Sequence, residues 1–200
     1  MTPTTDIPES TEPRPRPSSR KKVYSIGVGS VLAITLIAVV SVLTGGGASN
    51  SNVPTSKLVG QHLKSFSLGG LFGGKVKAPW ESGHPSVEIF FASYCGPCQA
   101  EMPKIAKYLS THNLGHVAIL GVDSSDVRTN AVAMVKHSGF TSPVAFDPNA
   151  VVTSGVFGFG YVPESVFVNA QGVVTEVYYG AIPKQQLASG INSLTASSSS

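Results

Sequence analysis

Two hundred residues can hold one ordinary domain with accessory segments to spare. Charged residues are only 12% of the chain, low for a protein bathed in water along its whole length, so a membrane segment is expected. A formal charge of +3, scattered along the chain, excludes a charge-driven nucleic-acid binder, and two cysteines are too few for a disulfide framework. Either the cysteines pair with each other or both are free, which suits a reversible couple better than a staple. The chain shows no internal repeat.

Residues 1–22 place Pro3, Pro8, Pro13, Pro15 and Pro17 among charges with almost no apolar side chains. That composition cannot bury a core and predicts a disordered cytoplasmic tail. Residues 23–44 are uncharged and mostly apolar. About 22 residues at ~1.5 Å each span the ~30 Å hydrocarbon layer, so a transmembrane helix is expected there. Arg14, Arg16, Arg20, Lys21 and Lys22 precede it, and no basic residue follows until Lys57. This bias places the N-terminus in the cytoplasm and the rest outside the cell membrane. The alternative is a signal peptide cut after Ala48, but such apolar cores usually run about 7–15 residues. Residues 45–57, rich in Gly, Ser and Asn, predict a linker, 58–195 a folded domain, and 196–200 a frayed tail.

Within the domain, strand and helix patterns alternate. A weak, Gly-interrupted strand or hairpin is expected over 64–71, and a strong buried strand over 87–92. The helix over 96–110 contains Pro103, whose missing N–H removes the bond to the Gln99 carbonyl and should interrupt and kink it. A second buried strand at 116–122 closes on Asp123-Ser124-Ser125. A helix over 126–137 follows, with Val127, Ala131, Met134 and Val135 on one face, Ser125 as N-cap and Gly139 as its stop. A short strand (143–146) and a short helix (149–156) precede two strands, 164–168 and 173–179, around the turn Asn169-Ala170-Gln171-Gly172. A last helix runs over 183–194 with Pro183 in its first turn. A βαβ run, a hairpin and a final helix make the thioredoxin order, an α/β fold with a mixed central sheet and helices on both faces.

The chemistry sits in Ser93-Tyr94-Cys95-Gly96-Pro97-Cys98, where both cysteines stand as C-x-x-C between a buried strand and a helix. A thiolate at Cys95 would face the free N–H groups and the positive end of the new helix, which lowers its pKa. Cys98, one turn further in, is near enough to close a short disulfide ring. Glu101 lies three residues after Cys98 and shares its helix face. It is either a proton partner of the thiols or a solvated acid favoured by the helix dipole. Tetrahedral zinc needs four ligands, and the chain has no second C-x-x-C and no H-x-x-x-H. His62, His84, His112, His116 and His137 show no ligand spacing, and Trp80 is read as packing.

Residues 90–103 resemble the active-site stretch of membrane-anchored thioredoxin-like thiol–disulfide oxidoreductases of the TlpA/ResA (redoxin) family. Three further pieces fall in the family's order across residues 58–194. They are Gly121-Val122-Asp123, the insertion strand Pro143-Val144-Ala145-Phe146-Asp147 with its following helix (a central βα insertion), and the cis-proline segment from Phe159 to Asn169, which holds Val162-Pro163. The resemblance implies that Cys95 attacks the partner disulfide and Cys98 resolves the mixed disulfide, with no cofactor beyond the Cys95–Cys98 couple and no metal. It implies Glu101 beside the thiols, Pro163 in the cis form against them, and Val162 offering backbone groups to an extended substrate. Tyr94, Gly96 and Pro97 would complete the substrate-binding surface.

Gly96-Pro97 matches the dipeptide of reducing thioredoxins, so a reductant is expected. The family's substrates imply disulfides of exported proteins such as apocytochrome c, and a membrane thiol-transfer protein as electron donor. A disulfide oxidase or isomerase is the second reading, and a copper-binding or non-catalytic domain the reading from another class, although copper carriers on this fold use a wider C-x-x-x-C. The chain departs from the family at Tyr94, where Trp is usual, and at Asn169, where Asp is. Ile89 occupies the strand position of the buried Asp of cytosolic thioredoxins. Glu88, one residue off, is expected on the opposite face, solvated or paired.

Overall fold

A computed structural model describes residues 56–197. The expected tail, membrane anchor and nearly all of the linker lie outside the described residues. Among the described residues no helix is long and apolar enough to cross a membrane.

A small antiparallel hairpin, β1 (Ser67–Gly69) and β2 (Lys75–Lys77), and a 3₁₀ turn (Pro79–Ser82) precede the main sheet. The sheet and helices then alternate: β3 (Ser86–Phe91), α1 (Gly96–Thr111), β4 (Ala118–Ser124), α2 (Arg128–Ser138), β5 (Val144–Asp147) and α3 (Val151–Gly155). A hairpin of β6 (Glu164–Val168) and β7 (Val174–Tyr179) and the last helix α4 (Lys184–Ser197) complete the chain. The strand order is β5-β4-β3-β6-β7, parallel through β3, β4 and β5 and antiparallel across β3–β6–β7. This is the mixed sheet of a thioredoxin-like α/β fold.

Period-two alternation divides β3 between two cores. Val87, Ile89 and Phe91 enter a cluster with Met102 and Ile105 of α1, Ala131 and Val135 of α2, and Leu187 and Ile191 of α4. Phe90 enters the other, with Leu120, Val122, Val166, Trp80, Phe157 and Val152 of α3. The three longer helices therefore cover one face; the short α3 and the N-terminal segment cover the other. Every residue of β3 is buried, as expected for a strand covered on both sides.

The N-terminal segment is tied down by backbone. Leu63 N–H donates to the Gly172 carbonyl (2.9 Å), and Gly172 sits at φ 79 in the β6–β7 turn with Trp80 against its Cα. A Cβ at Gly172 would lie 2.8 Å from the Trp80 ring, so both conformation and space require glycine there.

Two expectations are corrected and a third is narrowed. The helix of residue 103 is not interrupted: α1 runs through Pro103 from Gly96 to Thr111, held by Met102, Ile105 and Tyr108 in the core. Ser125 is not an N-cap. It adopts φ 54, α2 begins at Arg128, and the residue before that, Val127, has no capping side chain. Glu88 does face away from Ile89, but it is fully buried rather than solvated, with Ser86 Oγ donating to its Oε1 (2.6 Å).

Candidate active site

β3 ends at Phe91, and the chain leaves the core through Ala92-Ser93-Tyr94 before α1 begins. Cys95 is the N-cap of α1, in an extended conformation, and its Sγ accepts the Cys98 N–H (3.2 Å). Gly96 and Pro97 form the first two helical positions, where the missing proline N–H costs nothing because those donors have no helical acceptor. Cys95 and Cys98 are joined as a disulfide, Cα to Cα 5.2 Å. Cys98 is 0% exposed and Cys95 8%, so only the first cysteine can be reached from outside.

The Val162–Pro163 peptide is cis, and it brings the Val162 carbonyl oxygen to 3.7 Å from Cys95 Sγ. Cys95 opens into a cavity of about 360 Å³. It is lined by Tyr94, Pro97, Phe159, Gly160, Tyr161 and Val162, by Ser124 and Ser125 at the end of β4, and by Ala150, Thr153 and Ser154 of the insertion. No charged side chain lines it. Tyr94 and Tyr161 stand at its rim, 66% and 69% exposed. Of the residues named from the sequence as substrate-contacting, Tyr94, Pro97 and Val162 line this cavity; Gly96, exposed on the helix start, and Pro163, buried behind Val162 in the chain, do not.

Glu101 is buried, and its Oε2 accepts the Ile182 N–H at the entrance to α4 (2.7 Å). Burial raises its pKa to about 7, against the lowering effects of the Ile182 hydrogen bond and the Lys104 charge. It is thus no solvated helix acid. With no cation lining the cavity, a Cys95 thiolate would rely on the helix start: the Cys98 N–H and the dipole behind it.

Sequence reasoning passed over three acids around this site. Asp126, read there as the start of a helix, accepts Ser93 N–H (2.5 Å) and Ser93 Oγ (2.8 Å) from across the sheet end. Asp123 is 0% exposed at the end of β4, and burial with the neighbouring charges of Asp126 and Asp147 raises its pKa to about 8. Glu164, next to Pro163, is also buried, which raises its pKa to about 7. The only signal in the sequence was Asp123 and Asp126 bracketing the loop after β4; their partner lies 33 residues away from Asp126.

Residues 48–193 match the redoxin family. The chain is 26% identical over 137 residues to the thiol-disulfide oxidoreductase ResA of Bacillus anthracis, covering 68% of this chain and 79% of that protein. It is 27% identical over 157 residues to the thiol:disulfide interchange protein DsbE of Pseudomonas fluorescens biotype C, covering 76% and 83%. Its fold is similar to the crystal structure of a secreted Mycobacterium tuberculosis disulfide oxidoreductase homologous to E. coli DsbE (TM-score 0.58, 20% identity, covering 64% of this chain and 96% of that one). With a C-x-x-C disulfide capping its first long helix and a match spanning most of its length, the chain belongs to the redoxin family and is a thioredoxin-like thiol–disulfide oxidoreductase.

Proposed function

We propose that this protein is a membrane-anchored, extracytoplasmic reductant of disulfides in exported proteins, apocytochrome c among them. The observation that carries the reading is the placement of the one reachable sulfur, Cys95, at a helix N-terminus beside the Val162 backbone in an uncharged cavity. That site accepts an extended peptide without selecting for a charged one.

In the reducing direction, the Cys95 thiolate attacks one sulfur of the substrate disulfide. A mixed disulfide forms, and the other substrate sulfur leaves as a thiolate that takes a proton. Cys98 then gives its proton to the Glu101 carboxylate and attacks Cys95 Sγ. The Cys95–Cys98 disulfide forms, the second substrate sulfur leaves as a thiolate and takes a proton from solvent or from Glu101, and the substrate departs as a dithiol carrying the two electrons. No other cysteine exists in the chain to return those electrons. A membrane thiol-transfer partner would do so, and the apolar run at 23–44, with its basic residues on the N-terminal side, would keep the domain beside that donor.

Replacing Cys98 by Ser in the full chain tests the reading. Attack by Cys95 survives and resolution does not, so mixed disulfides with exported C-x-x-C proteins should accumulate on the membrane. A trapped set without apocytochrome c removes that substrate, and a trapped set without exported proteins removes the extracytoplasmic assignment. The potential of the couple sets the direction: near the thioredoxin value of about −270 mV supports a reductant, near the DsbA value of about −120 mV an oxidant.

A further inference from the structure

Asp123 and Asp126 take no part in the electron transfer just described, yet they stand directly behind the loop that presents Cys95. Ser93 is pinned at all three of its polar groups. Its N–H and Oγ donate to the two carboxylate oxygens of Asp126, and its carbonyl accepts Nε2 of Gln99 from the first turn of α1 (2.6 Å). Asp126 Oδ1 also accepts the Val127 N–H (2.6 Å), which fixes the carboxylate to its own backbone. Tyr94 follows, two-thirds exposed, so its side chain offers no purchase. Beyond the turn bond from Cys95 N–H to the Ala92 carbonyl (3.2 Å), Ser93 is the last point at which the chain is held before the sulfur.

We infer that Asp126 is a positioning residue for Cys95, acting through Ser93. The sulfur must meet two targets at once, the Cys98 N–H at 3.2 Å and the space beside the Val162 carbonyl at 3.7 Å. A loop that swings at Ser93 loses both, and misplacement of a reacting atom by about 1 Å can cost up to ~100-fold in rate.

Asp123, buried at the end of β4, is a neighbouring charge to Asp126. No N–H or O–H among the described residues reaches either Asp123 oxygen. Burial, with the neighbouring Asp126 charge, raises the Asp123 pKa to about 8. The other charged groups facing Asp123 are Arg128 from α2 and Asp147 from β5. Asp147 in turn accepts from the Val151, Val152 and Thr153 N–H groups and from Thr153 Oγ1, holding the start of the insertion helix that helps line the cavity.

The test follows the attack of the reduced full-length protein on dithiobis(nitrobenzoate), a small disulfide, from about pH 5 to about pH 9. Asp126→Ala should lower the high-pH plateau, where Cys95 is all thiolate, about tenfold, the size expected for losing a pair of positioning hydrogen bonds. Ser93→Ala should lower it less, and the double variant should be no slower than Asp126→Ala, since both act along one path. A wild-type plateau in Asp126→Ala, even with a displaced pKa, would mean the carboxylate acts only as a charge and overturns the inference. Multiplying effects in the double variant overturn it as well. Should Asp126→Ala fail to fold, Asp126→Asn, which leaves one of the two acceptor oxygens and so cannot take both Ser93 donors in the native arrangement, carries the same test: a plateau equal to wild type overturns the inference, an intermediate one supports it. The small disulfide reports on Cys95 whatever its natural substrate, so failure here is separate from failure of the trapping experiment.

Discussion

Glu101 has given up solvent for a single backbone donor. A carboxyl held at a pKa of about 7 by burial can take a proton and release it near neutrality, which an ordinary carboxylate cannot. Glu101→Gln keeps an oxygen for the Ile182 N–H and removes the titration, so packing should survive while proton transfer is lost. Turnover of a protein disulfide at neutral pH should slow about tenfold or more, and the inflection near pH 7 in the rate profile should vanish. An unchanged profile in Glu101→Gln would remove the residue from the mechanism. The Cys95–Cys98 pair was legible in the sequence because its relation is local, a spacing of three residues at the start of one helix. The Ser93–Asp126 clamp was not. Its partners come from the ends of two parallel strands, β3 and β4, and only the register of those strands brings them together.

At the level of elements, α4 meets the sheet through its one interior glycine. A Cβ at Gly190 would overlap the ring of Phe167, a fully buried residue of β6 that has no room to move. Gly190→Ala pits a helix-propensity gain of ~1 kcal/mol against an overpacking cost of ~1–3 kcal/mol. The cost should win because an aromatic ring wedged between sheet and helix cannot rotate away, and the urea midpoint should fall. A midpoint at or above wild type would show that the helix can lift off the sheet. The same contrast explains which elements were readable. β3, β4 and β6 are runs of apolar residues between turn signals, and burial on both faces leaves few alternatives. Pro103 misled because a local rule predicts the loss of one hydrogen bond, whereas the packing of Met102, Ile105 and Tyr108 holds the helix on both sides of it. Ser125 misled similarly. The loop after β4 is shaped by Asp126 reaching back to Ser93, which delays α2 to Arg128.

The described residues include four buried acids with raised pKa values: Glu88 at about 8, Glu101 at about 7, Asp123 at about 8 and Glu164 at about 7. Burial is the leading cause in each. Glu88 and Glu164 lie on the same face of the sheet, since Glu88 pairs with Val166 and Phe90 with Glu164. One oxygen of each has no hydrogen-bond donor among the described residues, so neither is prepared to receive a charge. Unfolded, these groups return to ordinary values of 4.5 or 3.8. Between those values and about 8 the native state holds more protons than the unfolded one, so stability falls as pH rises. The contribution is full below about pH 4 and is lost by the time pH has passed the folded values. The urea midpoint of the oxidised protein should therefore drop from about pH 5 to about pH 9. Glu88→Gln, neutral at every pH and able to keep the Ser86 bond, should reduce that drop chiefly by raising the midpoint at the alkaline end. A midpoint that rises with pH, or a slope that Glu88→Gln leaves untouched, would mean that the buried acids are ionised in the folded protein and solvated by something other than its own side chains.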